Sequence, residues 1–135
     1  PTWRNQMTNE TLTMKEINAL GDCFNSTFGR QSVANAGYSI RADFHGNRMV
    51  MKYQTVVHFN SRDGLATQKA ECERESVEVL NQALSEGKSK FRETTGRALK
   101  VKELNSRDDV ELISATANNP RKICYYRRYI TFEIS

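Results

Sequence analysis

The sequence is poor in the residues that mark fibrous, disordered or membrane-embedded chains. It has two prolines and seven glycines in 135 residues, which excludes collagen-like, linker-like and generally disordered proteins. No uncharged apolar stretch approaches the ~18 residues of a membrane-spanning helix, so we expect no membrane partner. A chain of this length can bury roughly two thirds of its unfolded surface, and we therefore expect it to fold around one core.

Cysteine and histidine are scarce as well. The three cysteines, Cys23, Cys72 and Cys124, are widely spaced and odd in number, which argues against a disulfide scaffold and favours buried thiols in a reducing, cytoplasmic compartment. Together with the two histidines they show no CxxC, HxxxH or HExxH spacing. We therefore expect no zinc site and no cofactor.

The motifs of the common enzyme classes are also missing. There is no GxSxG elbow, no GxGxxG and no Walker loop, so we predict no enzyme and no small-molecule substrate. An enzyme with an unfamiliar site would gather His58 with carboxylates in a deep pocket. Asp63, Asp108 and Asp109 would bind a divalent ion only if two similar turns were neighbours, and helix capping is the simpler interpretation.

The spacing of apolar residues predicts a helix and a β-hairpin in the first half of the chain. Spacings of three and four predict a helix from Leu12 to Phe28, started by a capping box and ended by Gly29. Alternation on both sides of a turn at residues 45–47 predicts a β-hairpin from Tyr38 to Phe59. Its second face carries Arg41, Lys52 and Gln54 but also Val50 and Val56, so we expect this face to be partly covered.

A long helix and further strands make up the second half. The helix is predicted from Gly64 to Arg97, and its ~50 Å exceed the ~37 Å diameter of a compact domain of this size. It should therefore break near Gly87 or project its basic end toward a partner. Strands are predicted at residues 99–104, 110–117 and 123–134, with a turn at residues 118–120. The fold class is α+β, with two helices packed on a mostly antiparallel sheet of four to five strands.

One short pattern occurs twice. Residues 56–65 (VVHFNSRDGL) align with residues 101–110 (VKELNSRDDV) without a gap. Asn, Ser and Asp side chains bond to nearby backbone, so both copies are predicted to end a strand. A duplicated unit is the alternative interpretation.

Charge is unevenly distributed, although the net charge is only +4. Residues 87–102 hold six basic side chains and one acidic side chain, whereas glutamates are concentrated at residues 71–78. We therefore expect a basic end and an acidic end. The candidate residues for binding a partner or nucleic acid are Trp3, Lys88, Lys90, Arg92, Arg97, Arg121, Lys122, Arg127 and Arg128.

The Tyr- and Arg-rich tail, RKICYYRRY at residues 121–129, has two interpretations. Arginines can neutralise phosphates while tyrosines stack on bases, as in a nucleic-acid-binding module. The same residue types are enriched at protein interfaces. The modest net charge and the absence of RRM, KH and zinc-finger signatures favour protein contacts, with nucleic acid as the alternative.

The order of these elements resembles a known class of proteins. A polar arm at residues 1–11 precedes a single domain at residues 12–135, which holds an early hairpin (YSIRADFHGNRMVMKYQ), one long helix and a closing hairpin around NPRKICYYRR. This build is similar to small virion proteins of tailed phages in the connector, neck and tail-completion groups. The resemblance implies a non-enzymatic virion subunit, assembled in the host cytoplasm from copies of itself and other structural proteins. It assigns no functional residue.

Overall fold

The computed structural model describes residues 11–34, 37–60, 65–116 and 119–135, and of residues 26–34, 58–60, 65–66, 112–116 and 119–122 it describes the backbone alone. Two helices and four strands make up this part of the chain. Helix α1 is Met14–Ala34 and helix α2 is Leu65–Thr95. The strands are β1 (Tyr38–His45), β2 (Arg48–Asn60), β3 (Val101–Thr116) and β4 (Asn119–Ile134).

The four strands form one sheet in the order β1-β2-β4-β3, with every neighbouring pair antiparallel. Helix α1 packs on β1 and on α2, and α2 packs on β2 and β4. The predicted α+β class, with two helices on an antiparallel sheet, is confirmed.

The core lies between the helices and one face of the sheet. Along each strand alternate side chains point into it, as the period of two predicts. The three cysteines are buried, as expected. The principal buried apolar residues are Leu20, Phe24, Ile40, Ala42, Met49, Met51, Tyr53, Leu80, Ala83, Phe91, Leu99, Tyr126, Ile130, Phe132 and Ile134.

The early hairpin is confirmed, and its turn is shorter than predicted. His45 pairs with Arg48, so only Gly46 and Asn47 form the loop. The backbone angle φ of Gly46 is 61°, whereas the φ of Asn47 is not positive. A positive φ at the first loop position alone is the type II′ arrangement, whose twist matches that of the flanking strands.

Helix α1 begins as the sequence predicts and ends later. Glu16 Oε1 accepts a hydrogen bond from Thr13 N at 2.8 Å, and Thr13 Oγ1 accepts one from Glu16 N at 3.2 Å, which completes the predicted capping box. The predicted end at Gly29 is wrong, because the helix continues to Ala34. One glycine costs a helix interior only ~1 kcal/mol, too little to stop it alone.

Helix α2 is unbroken over 31 residues and passes through Gly87 without interruption. The predicted break is therefore wrong, and so is the alternative of a projecting end, because Phe91 and Leu99 are both buried at that end. The helix ends at Gly96, which has φ 75°. The strands β3 and β4 have 16 residues each, or ~50 Å, so the sheet is as long as the helix.

Strand β3 replaces two predicted strands. It runs unbroken from Val101 to Thr116, with irregular register between Glu103 and Asn105 and again after Leu112. The second Asn-Ser-Arg-Asp sequence therefore lies inside a strand rather than at its end. The first begins at Asn60, the last residue of β2, and continues outside the described residues. The predicted turn at residues 118–120 is also misplaced, because β4 already starts at Asn119.

Candidate functional site

The sheet has a second face that points away from both helices, which we call the open face. In the described part of the chain, no helix or strand packs against it. Strand alternation places Tyr125, Arg127 and Tyr129 of β4 on the open face, because Tyr126 and Arg128 point to the helix side. The predicted Tyr/Arg strand is thus divided between two environments.

On the open face, Tyr129 lies between two basic side chains from neighbouring strands. The Arg107 guanidinium carbon of β3 is 4.1 Å from the centre of the Tyr129 ring. Lys52 of β2 places its Nζ 5.9 Å from the same centre. Contacts of this kind contribute about 0.5–1 kcal/mol at exposed sites. They also cover the ring, which is half-buried as a result.

Arg127 is held by its neighbours on both sides. Its Nε donates to Gln54 Oε1 at 3.0 Å, and its NH1 forms ion pairs with Glu111 and, at 3.7 Å, with Asp109. Its guanidinium carbon lies 5.0 Å from the centre of the Tyr125 ring. The hydrogen bond to Glu111 raises the pKa of Arg127 above its ordinary value. The planar group is therefore fixed in one orientation.

Charges of both signs alternate over the open face. Arg41, for example, pairs with Asp43 two residues along β1, at 3.1 Å. An exposed ion pair of this kind contributes little stability, but its two opposite charges cancel each other. By register, the described basic residues of this face are Arg41, Arg48, Lys52, Lys102, Arg107 and Arg127, and the acidic ones are Asp43, Asp109, Glu111 and Glu133.

Arg128, a predicted binding residue, lies on the helix side of the sheet. Its side chain is 14% exposed, with NH1 3.8 Å from Glu73 Oε1 of α2 and NH2 3.4 Å from Ser106 Oγ. Tyr126 OH donates to Asp108 Oδ2 at 3.1 Å in the same polar seam, and burial raises the pKa of Tyr126. These contacts join α2 to the sheet.

Arg97, another predicted binding residue, forms contacts that connect two parts of the fold. Its NH1 donates to Thr11 O at 3.0 Å and to Glu16 Oε1 at 2.9 Å. The side chain therefore ties the loop after α2 to the start of α1. The end of the predicted N-terminal arm, residue 11, is attached to the domain by this contact.

Three of the other predicted residues are exposed on α2, namely Lys88, Lys90 and Arg92. None of them forms an ion pair with another described residue. They differ in this respect from Arg97, Arg127 and Arg128. Trp3 lies outside the described residues, as do the side chains of Arg121 and Lys122, whose backbone belongs to β4.

The possible ion site is not formed by the two aspartates that are described. Asp108 and Asp109 are adjacent in β3 and therefore point to opposite faces of the sheet. Asp108 contacts Tyr126 on the helix side, whereas Asp109 contacts Arg127 on the open face. No group of three metal-ligating side chains occurs among the described residues, and Asp63 lies outside them.

Comparison of the chain with family models, with curated proteins and with solved structures finds no match. Neither described helix is both long and apolar enough to cross a membrane.

The sequence does not predict the part of the open face that β3 contributes. The alternation of β2 predicts the positions of Lys52 and Gln54, and the basic tail points to Arg127. Arg107, which covers Tyr129, lies between two predicted strands. No local signal reveals it, because the contact depends on the pairing of β3 with β4.

Proposed function

We propose that the chain is a non-enzymatic structural subunit of a larger assembly, of the kind found in tailed-phage virions, and that the open face contacts neighbouring proteins. A sheet with helices on one side only leaves its other side available to a partner. In antiparallel sheets a solvated face is ordinarily polar, and this one combines its charged side chains with tyrosines on which arginines are stacked. Tyrosine and arginine are the residues most enriched at interface hot spots.

The observation that carries this proposal is the set of contacts that holds the aromatic and basic groups in place. Arg127 is fixed by Gln54, Glu111 and Asp109, and Arg107 is fixed on Tyr129. Side chains that are already ordered lose little conformational entropy when a partner binds. The face is therefore preorganised for a protein surface that offers apolar area and hydrogen-bond acceptors.

The same contacts make the open face a poor site for nucleic acid. Binding to phosphates depends on basic groups that are free to replace counterions, and Arg127 is engaged by two carboxylates. Base stacking depends on accessible ring faces, and Arg107 covers a face of Tyr129. Carboxylates on the same face would also repel a phosphate backbone.

A test of the proposal is the mass of the full chain in solution, measured by sedimentation equilibrium and native mass spectrometry. We expect a multiple of the 15.5 kDa chain mass. Tyr129→Ser should lower this mass without unfolding the protein, because the ring lies on the open face. Lys15→Ser, at an exposed position of α1, is the control and should leave it unchanged. A wild-type protein that stays monomeric at every accessible concentration would refute the assembly role.

The alternative function, a nucleic-acid-binding module, is favoured by one observation. Lys88, Lys90, Arg92, Lys100 and Lys102 form no ion pairs with described residues. This alternative predicts binding to single-stranded oligonucleotides that weakens steeply as the salt concentration rises. The slope of log affinity against log salt should become smaller with each basic residue that is removed. Fluorescence anisotropy at several salt concentrations measures it, and binding with no salt dependence would reject it.

A further inference from the structure

The last turns of α2 contain a basic groove. Ser85, Lys88, Ser89 and Arg92 follow one another at helical spacing on one side of the helix, and the loop residues Ala98 and Leu99 close the other wall. The cavity between them has a volume of about 320 Å³. We call this cavity the basic groove. It offers two cations and two hydroxyl groups to an occupant.

The cations of the basic groove are not neutralised within the described part of the chain. Lys88 and Arg92 are exposed and form no ion pair there. Lys100, which directly follows the groove residue Leu99, is likewise exposed and forms no ion pair with a described residue. An acidic partner would therefore gain charge contacts here without displacing any from within the fold.

The first half of the same helix carries an excess of acidic side chains, with four glutamates against Lys69 and Arg74. Glu71, Glu75 and Glu78 are exposed and recur at spacings of four and three, so they lie along one side of α2. None of the three forms an ion pair with a described residue, whereas Glu73 forms one with Arg128. We call these three residues the acidic ridge. Its centre is ~22 Å along the helix axis from that of the basic groove.

We propose that the acidic ridge of one copy of this chain binds in the basic groove of the next, in a head-to-tail contact. Glu71 and Glu75 are four residues apart, as are Lys88 and Arg92, so carboxylates and cations repeat at the same ~6 Å rise. Their separation along one straight helix prevents the two sites from meeting within a chain. Repetition of such a contact builds a ring or a filament.

This inference rests on the proposed function and adds the partner and the contact. A second copy is favoured over nucleic acid because the chain itself carries a complementary set of charges at matching spacing. The ridge would also repel a polyanion that extended along the helix from the groove.

The test uses two charge-reversed forms of the full chain, K88E/R92E and E71K/E75K. Each should have the mass of one chain, 15.5 kDa, or of an assembly smaller than the wild type. Mixed in equal amounts, they should regain the wild-type mass, because each then meets the opposite charge at both of its ends. K15E, a charge reversal at an exposed position of α1 that lies outside both sites and off the open face, should keep the wild-type mass.

Two results would overturn the head-to-tail contact. One is an unchanged mass in both charge-reversed forms, and the other is failure of the mixture to recover. If K88E/R92E instead loses salt-dependent oligonucleotide binding while its mass stays that of the wild type, the groove belongs to nucleic acid and the contact is rejected. A wild-type assembly that responds to Tyr129→Ser but to neither reversal rejects this contact alone, whereas a monomeric wild type rejects the assembly role as well.

Discussion

At the scale of single residues, Gly87 shows how a local cost is offset by packing. A glycine in the middle of a helix destabilises the folded protein by about 0.5–1 kcal/mol relative to alanine. Here a Cβ at position 87 would lie 2.3 Å from Phe24 Cδ1 of α1. Phe24 is fully buried, so the ring has no free space to move into. The helix therefore stays intact because the two helices can approach closely at this residue.

We predict that Gly87→Ala destabilises the protein by about 1–3 kcal/mol, the range for an overpacked core. Helix propensity alone predicts that this substitution stabilises the protein, because alanine favours a helix over glycine. Gly21→Ala is the matched control, because nothing lies within 4 Å of a Cβ built there in α1, and it should stabilise by about 0.5–1 kcal/mol. Urea denaturation of both variants measures the difference. Equal stabilisation by both substitutions would show that Phe24 does not restrict position 87.

Tyr53 makes the stability depend on pH in the alkaline range. Burial, with a contribution from the Glu75 carboxylate, raises the pKa of Tyr53 from 10.0 to about 12. The folded state therefore holds this proton more tightly than the unfolded state. The stabilisation is complete below pH 10.0, and it is lost as the pH rises through about 12.

We predict that the free energy of unfolding falls more steeply with pH in the wild type than in Tyr53→Phe, by up to about 3 kcal/mol in total. Urea denaturation between about pH 9 and about pH 12 measures it. All other ionisable groups are common to the two proteins, so the difference between the two curves isolates Tyr53. Parallel curves would contradict the assignment.

At the scale of elements, agreement between sequence and structure depends on where the information lies. The β1–β2 hairpin and the start of α1 are encoded by neighbouring residues, in Gly46 and in the Thr13–Glu16 capping box, and both were predicted. Strand β3 was not, because its polar residues read as a turn. Strand β3 is an edge strand, where charged side chains are common, and its pairing with β4 overrides the preference of Asn, Ser and Asp for turns.

Another element-level contact, between α1 and the loop after α2, involves a charged pair. Glu16 is hydrogen-bonded to the Thr13 backbone N–H and lies 2.9 Å from Arg97 NH1. The Thr13 backbone hydrogen bond, followed by contacts with Arg97, lowers the pKa of Glu16 below 4.5. Because the folded state favours the charged carboxylate, this stabilisation is present above pH 4.5, and it is lost as the pH falls through the lower value of the folded state.

A double-mutant cycle of Arg97→Ala and Glu16→Gln measures this contact. We predict a coupling free energy of about 1 kcal/mol at neutral pH, since both side chains are mostly buried. At a pH well below the range in which Glu16 titrates, the coupling should shrink toward zero. Coupling that persists unchanged in acid would mean that the carboxylate charge does not hold the two elements together.

At the scale of the whole molecule, the two proposed surfaces differ in physical character. The open face offers fixed aromatic and arginine groups among charges of both signs, whereas α2 carries the acidic ridge in its first half and the basic groove in its last turns, and the charged side chains of both form no ion pair with a described residue. The sequence indicated the charge segregation and the Tyr/Arg strand. It did not indicate that the arginines of this strand would divide between the open face and the polar seam, because that division follows from the register of β2, β4 and β3.

This difference predicts how the assembly responds to salt. The Debye length falls from ~10 Å at ~0.1 M to ~3 Å at ~1 M, so a contact between exposed glutamates and basic side chains weakens over that range. A contact through Tyr125 and Tyr129 buries apolar area and should persist. We therefore expect high salt to reduce the mass of the wild type to that of K88E/R92E, and to have little further effect on that variant. Sedimentation equilibrium of both proteins across the salt range measures it. A wild-type mass independent of salt would place the contact between copies on the open face instead of the α2 charges.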